Sequence, residues 1–101
     1  MLNIALDRNK WTVTIDGHAG YAAHGSDIVC AAASMLTATL ARCMGGVTGQ
    51  HYVDDGVRTE ISCTPTLAEA ERVAAVFDVI DTGYQLLANS YPVHVRYTRK
   101  R

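Results

Sequence analysis

The sequence predicts an α+β fold of element order ββαββαβ, with an antiparallel or mixed sheet packed with two helices. Three observations carry this expectation. Apolar residues alternate with small or polar ones over residues 2–6, 11–15 and 93–97, the period of a half-buried strand. Two longer stretches, 27–44 and 67–91, are apolar nearly throughout or repeat apolar residues in steps of three and four, as helices do. Turn chemistry at Asp7-Arg8-Asn9-Lys10 and Asp54-Asp55-Gly56 joins neighbouring strands closely enough for hairpins.

Leu2-Asn3-Ile4-Ala5-Leu6 makes the first strand and Trp11-Thr12-Val13-Thr14-Ile15 the second, with Trp11, Val13 and Ile15 on the buried face. The next ten residues, Gly17 to Ser26, follow neither period. They hold three glycines, and a loop of this length in so small a protein is more often functional than decorative. From Asp27 to about Met44 the chain reads as helix, stopped by Gly45-Gly46. Its apolar character nearly all round through Ala33 implies burial on more than one side. His51-Tyr52-Val53 and Val57-Arg58-Thr59-Glu60-Ile61 form the second hairpin. The second helix opens on a capping box, Thr66-Leu67-Ala68-Glu69. Its stripe runs from Leu67 through Ala70, Ala74, Phe77, Ile80, Tyr84 and Leu87 to Tyr91, and Gly83 inside it weakens its continuity. Pro92 closes that helix and Val93–Tyr97 is the last strand.

The chain has 101 residues, enough for a single domain spanning 1–101. A domain of this size buries roughly two-thirds of its unfolded surface, so self-association would help a thin core. Net charge is −1 and the isoelectric point is near 6.4, which gives no global pull toward nucleic acid or anionic membrane. The opening residues lack a signal peptide's basic region, and the most apolar run, 28–36, is too short to span a bilayer. These features predict a cytoplasmic protein. The cysteines, Cys30, Cys43 and Cys63, are odd in number and form no C-x-x-C pair, so neither a disulfide framework nor a zinc site is expected. His51 and His94 fall in presumed strands and make no ligand pair, and no metal or organic cofactor is implied. The basic end, Arg96, Arg99, Lys100 and Arg101, reads first as a solvated tail and second as a contact for RNA or substrate.

Cys30 stands apart by position. With Asp27 as N-cap it falls at the third helical residue, where unpaired backbone N–H groups and the helix dipole favour a thiolate. His18, across the glycine loop, can serve as its base or imidazolium partner, and a first-turn N–H near Cys30 is a candidate oxyanion donor. Position alone does not decide this, because a cysteine in an alanine-rich helix commonly fills core space.

The string Gly17-His18-Ala19-Gly20-Tyr21-Ala22, followed by Gly25-x-Asp27-Ile28-Val29-Cys30-Ala31-Ala32-x-Ser34, resembles the signature of the Prp-type ribosomal-processing cysteine proteases. The length and element order of the rest resemble that family too. The resemblance implies that His18 and Cys30 form a catalytic dyad, with Gly17, Asp27 and Ser34 on further signature positions. It also implies a homodimer that removes a short N-terminal extension from a large-subunit ribosomal protein precursor. The glycine segment, with Gly20, Tyr21 and Gly25, is implied to be a mobile loop over the substrate. Ala33 departs from the family, where a β-branched residue is common.

Asp27 reads first as the helix cap and second as an orienter of His18. Ser34 reads first as bonding back to the Cys30 carbonyl and second as lining the site. His24 is expected to face solvent, and Cys43 and Cys63 to fill core or subsurface space. Phage structural proteins are an alternative substrate. A non-proteolytic ribosome-associated binding module and a redox or acyl-transfer enzyme are alternative functions, the redox version weakened by the lack of a nearby resolving cysteine.

Overall fold

The computed structural model describes residues 1–23 and 25–100; His24 and Arg101, for which solvent exposure and a place in the basic tail were expected, lie outside them. The elements are β1 (Leu2–Asp7), β2 (Thr12–Gly17), α1 (Ile28–Cys43), β3 (His51–Asp54), β4 (Arg58–Ser62), α2 (Leu67–Ser90) and β5 (Val95–Lys100). They form one mixed sheet in the order β3-β4-β2-β1-β5, with two helices, as the sequence predicts. Only β1 and β5 run parallel; the other pairings are antiparallel. That parallel pair is bracketed by Leu2 N–H donating to His94 O at 2.9 Å and Arg8 N–H donating to Lys100 O at 2.9 Å.

Alternation puts Leu2, Ile4 and Leu6 of β1 on the same buried side as Val13, Ile61 and Val95 of its neighbours. Val29, Ala33 and Leu40 of α1 and Val73, Phe77, Ile80 and Tyr84 of α2 complete the core. Trp11 does not belong to β2. It takes a positive φ of 48° at the end of the hairpin turn, and its ring stands edge-on to Phe77 at 5.1 Å. Trp11 is thus partly buried against the core although it lies outside the strand, and the aromatic contact helps hold a conformation that side chains resist.

α1 is buried on one side rather than several. Its buried residues are Val29, Ala33, Thr37 and Leu40, whereas Ile28 and Met35 are 54% and 68% exposed. The sheet and α2 cover a single stripe, so the helix's all-round apolar character overstates its burial. α2 is continuous through Gly83, because the glycine serves packing and not interruption. A Cβ there would lie 2.7 Å from Leu36 Cδ2 on α1, so its absence lets the helices approach. Thr37 and Tyr84 hydroxyls meet at 2.9 Å across the same interface, and Thr37 also donates to Ala33 O at 2.7 Å.

The stripe of α2 starts later than expected. Leu67 is 97% exposed in the first turn, and Val73 takes up the core position. Glu69 accepts the Thr66 N–H at 3.0 Å and the Thr48 N–H at 3.2 Å, tying the helix start to the preceding loop.

The last strand is shifted as well. The carbonyl of Tyr91, the C-cap of α2, accepts the N–H groups of both His94 and Val95 at 3.0 Å, so Val93 and His94 form a turn. β5 therefore carries Arg96, Arg99 and Lys100 within the sheet, not in a free tail. Arg99 reaches the buried carboxylate of Asp81 at 2.7 Å. Among the described residues, no helix is long and apolar enough to cross a membrane.

Candidate active site

β2 ends at Gly17 with φ +83°, where an added Cβ would collide with the carbonyl oxygen of Met1. Only glycine fits both the angle and the contact. The chain leaves the sheet there, and His18 follows, exposed to solvent. Eleven residues after Ala19 the chain returns to the same place in α1, where the N–H of Ala19 points at Cys30 Sγ across 3.4 Å. Ala19 is itself buried, while Cys30 is half-buried.

Asp27 makes this return compact. Its Oδ1 accepts the N–H groups of Val29 at 2.9 Å and Cys30 at 3.0 Å, which is N-capping. Its Oδ2 accepts those of Tyr21 at 3.0 Å and Ala22 at 3.3 Å, which fastens the glycine loop to the helix start. The side chain is 8% exposed. The Cys30 N–H, with those of Ala22, Tyr21 and Val29, outweighs burial and holds the carboxyl below its usual range. Among the described residues, no hydrogen bond joins Asp27 to His18.

The same bonds revise the expected oxyanion donor. The N–H groups of Val29 and Cys30 are taken by the Asp27 side chain, and that of Ala31 by the Asp27 carbonyl at 3.0 Å. The loop N–H of Ala19 faces the sulfur, so it is a donor to the thiol and not to a substrate oxygen.

Two clefts meet at the thiol. One, about 340 Å³, lies between α1 and the β3–β4 hairpin, with Ile15, Ala33, Thr37, Tyr52 and Val57 among its walls. The other, about 580 Å³, lies under the glycine loop and is lined by Gly20, Ala22, Gly25, Asp27 and Ala31. His18, Cys30 and Ser34 line both. Among the described residues no hydrogen bond joins Ser34 to the Cys30 carbonyl, and Ser34 lines both openings.

Two features of the site had no sequence signal strong enough to find them. His94, expected in a strand, stands in the turn before β5, and its Nδ1 lies 3.0 Å from Ala19 O. Tyr21 of the glycine loop packs edge-on against both His94, at 5.3 Å, and Tyr91, at 5.5 Å. The other cysteines are differently placed. Cys63 is buried beside Met44 and its thiol is pushed up by burial, then by the charge of Glu69. Cys43 is half-buried against the core. Among the described residues, no three His, Cys, Asp or Glu side chains cluster as a metal site requires.

A first-turn helix thiol, a histidine on the same cleft walls and an open two-sided groove are the parts of a cysteine endopeptidase. Residues 1–96 match the family model described as cysteine protease Prp. The chain is 34% identical to the ribosomal processing cysteine protease Prp of Mycoplasma genitalium, over 94% of this chain and 92% of that protein. The fold matches that of the essential ribosomal processing protease Prp from S. aureus solved with a covalently linked product peptide. That match has a TM-score of 0.79 and 24% identity, and covers 99% of this chain and 100% of the other. The S. aureus protease with a substrate peptide matches with a TM-score of 0.69 and 23% identity, over 98% and 97% of the two chains. The chain belongs to the Prp family of cysteine proteases.

Proposed function

We propose that this protein removes a short N-terminal extension from a large-subunit ribosomal protein precursor, with Cys30 as nucleophile and His18 as acid and base. The observation that carries the reading is the wall common to the two clefts. An extended peptide filling both must cross the line of His18, Cys30 and Ser34, which sets its scissile carbonyl over Sγ. Cys30 thiolate attacks the carbonyl carbon. The His18 imidazolium gives its proton to the departing amine, leaving a thioester. Neutral His18 then takes a proton from water, which attacks the thioester and frees the new carboxylate and the thiol. The similarity to the ribosomal processing protease of M. genitalium supports the choice of substrate.

The working form in this reading is a single-domain homodimer in the cytoplasm. The exposed apolar side of α1, with Ile28 and Met35, supports self-association.

Incubation with the ribosomal precursor of the same organism, followed by mass determination, tests the reading. The wild-type protein releases the extension at one bond, and Cys30→Ala and His18→Ala release none while keeping the wild-type circular dichroism. An intact precursor after incubation with the wild type, or cleavage by the folded Cys30→Ala variant, overturns it.

A further inference from the structure

We propose that His94 is a positioning residue for the thiol: it grips the carbonyl of Ala19 so that the N–H of the same residue stays aimed at Cys30 Sγ. The inference rests on Cys30 being the nucleophile. Ala19 O can only accept, so the 3.0 Å contact requires a proton on His94 Nδ1. The other face of Ala19 carries the 3.4 Å contact from its N–H to the sulfur. One buried residue therefore links an imidazole to the thiol through its own two polar groups.

His94 is suited to this because its backbone is fixed. Its N–H donates to Tyr91 O at 3.0 Å, and its carbonyl accepts from Leu2 N–H at 2.9 Å, joining the end of α2 to β1. Its ring is confined on the loop side by Tyr21 at 5.3 Å. Ala19 by contrast sits in a glycine-bearing loop, and Gly20 beside it takes φ +69°. Without the imidazole, the described ties from the loop to the helix are the Ala19–Cys30 contact itself and Asp27, which holds Tyr21 and Ala22 but not Ala19. A donor aimed at sulfur favours the thiolate over the thiol, and a wandering donor does not.

Both the neutral Nδ1–H tautomer and the imidazolium carry this donor. The titratable groups around Cys30 are His18 and Asp27, with Tyr52 and Asp54 across the cleft; Tyr21 and Tyr91 surround His94.

The test compares His94→Asn with His94→Leu, side chains of similar shape. Asn places an amide N–H where Nδ1 stood, and Leu places none. Three readouts apply: the pH dependence of Cys30 alkylation by iodoacetamide, kcat and KM on the precursor, and thermal unfolding. His94→Leu is expected to move the alkylation midpoint of Cys30 up by about half a unit. It should lower kcat about tenfold while KM stays within about twofold. His94→Asn should restore both. A wild-type profile in His94→Leu, or an Asn variant that is folded yet as impaired as Leu, overturns the assignment. Should the Leu variant unfold, His94→Phe, which keeps a ring against Tyr21 and lacks the donor, takes its place with the same outcomes. Alkylation needs no substrate. A midpoint shift in a protein that cleaves no precursor would keep His94 in this role and remove the protease reading.

Discussion

Oδ1 of Asp27 accepts the backbone N–H of Cys30 at 3.0 Å, while Oδ2 of the same carboxylate accepts from the loop at Tyr21 and Ala22. The aspartate is therefore a clip between loop and helix, and its lone pairs are directed at backbone rather than at His18. Replacement by serine separates the two halves of the clip. Asp27→Ser retains a good N-cap but has no second oxygen for the loop. Helix content by circular dichroism should stay at the wild-type level, loop cleavage by trypsin-independent proteases such as thermolysin should accelerate, and kcat/KM should fall about tenfold or more. An aspartate acting through His18 would instead displace the histidine limb of the pH–rate profile and leave loop protection unchanged.

Acid lability follows from hydrogen bonds donated to four carboxyls, one of them Asp55, which the Arg58 N–H and then the Val57 N–H hold below its ordinary 3.8. The Cys30 N–H leads in holding Asp27 below its ordinary 3.8, and the Thr66 N–H leads in holding Glu69 below 4.5. At Asp81 burial pushes upward, but bonds from Tyr97, Gln85 and Arg99 outweigh it and the net shift from 3.8 is down. A carboxyl with a depressed folded-state pKa stabilises the fold fully above its unfolded value and ceases to do so as pH falls through the folded one. The melting temperature should thus be level between about pH 7 and pH 5 and fall steadily below about pH 4.5. A scan by circular dichroism checks this. In Asp27→Ser the acid decline should be shallower, because one of the linked protons is gone.

Two loop glycines should respond very differently to the same change. Gly17→Ala meets both a positive φ of +83° and the Met1 carbonyl, which belongs to backbone and cannot swing aside. Gly20→Ala meets only its φ of +69°, with no atom within 4 Å of the new Cβ. Gly20→Ala should cost about 1 kcal/mol, the left-handed penalty alone. Gly17→Ala should cost more than twice that and should also reduce kcat/KM by about tenfold or more, because His18 is the next residue. Urea unfolding and steady-state kinetics on the two variants separate the effects. Equal losses would mean that the end of β2 does not set the position of His18.

Local pattern made the two hairpins, both helix starts and the nearness of His18 to Cys30 legible, because each rests on residues close in sequence. Asp27 caps Cys30 three residues on, and Glu69 reaches back to Thr66. What escaped depends on partners far along the chain. His94 meets Ala19 across 75 positions, and nothing in Val93-His94-Val95 marks it as anything but strand. Its departure from the strand is decided by the Tyr91 carbonyl, which takes two N–H groups and delays β5 to Val95. The outer side of α1 was misread for a related reason. Composition reports that a residue is apolar, whereas burial depends on whether a sheet or helix lies over it, and the described elements leave Ile28 and Met35 more than half exposed.

Asp81 is the reverse case, a charge within an apolar stripe that is nevertheless core. It falls between Phe77 and Tyr84 on the inward face of α2, 5% exposed, with Tyr97 O–H donating at 2.6 Å and Arg99 at 2.7 Å. The half-buried Tyr97 hydroxyl and the more exposed Arg99 guanidinium thus satisfy a buried carboxylate that would be costly alone, and they pin α2 to β5. Burial, then the Asp81 hydrogen bond and charge, push the Tyr97 hydroxyl well above the ordinary phenol range. Removing the acceptor leaves the hydroxyl of half-buried Tyr97 and the Arg99 guanidinium without it, so Asp81→Ala should destabilise the fold by about 1–3 kcal/mol. Tyr97→Phe leaves the Arg99 pair in place and should cost only about 1 kcal/mol. The double variant should cost less than the two singles added, since the hydroxyl stranded by the first change is deleted by the second. The network shares no residue with either cleft wall at Cys30, so kcat/KM measured well below the melting temperature should be unchanged in all three variants. Strict additivity in a urea double-mutant cycle would show that Asp81 and Tyr97 are not energetically coupled, and the charge would then need another reason to lie in the core.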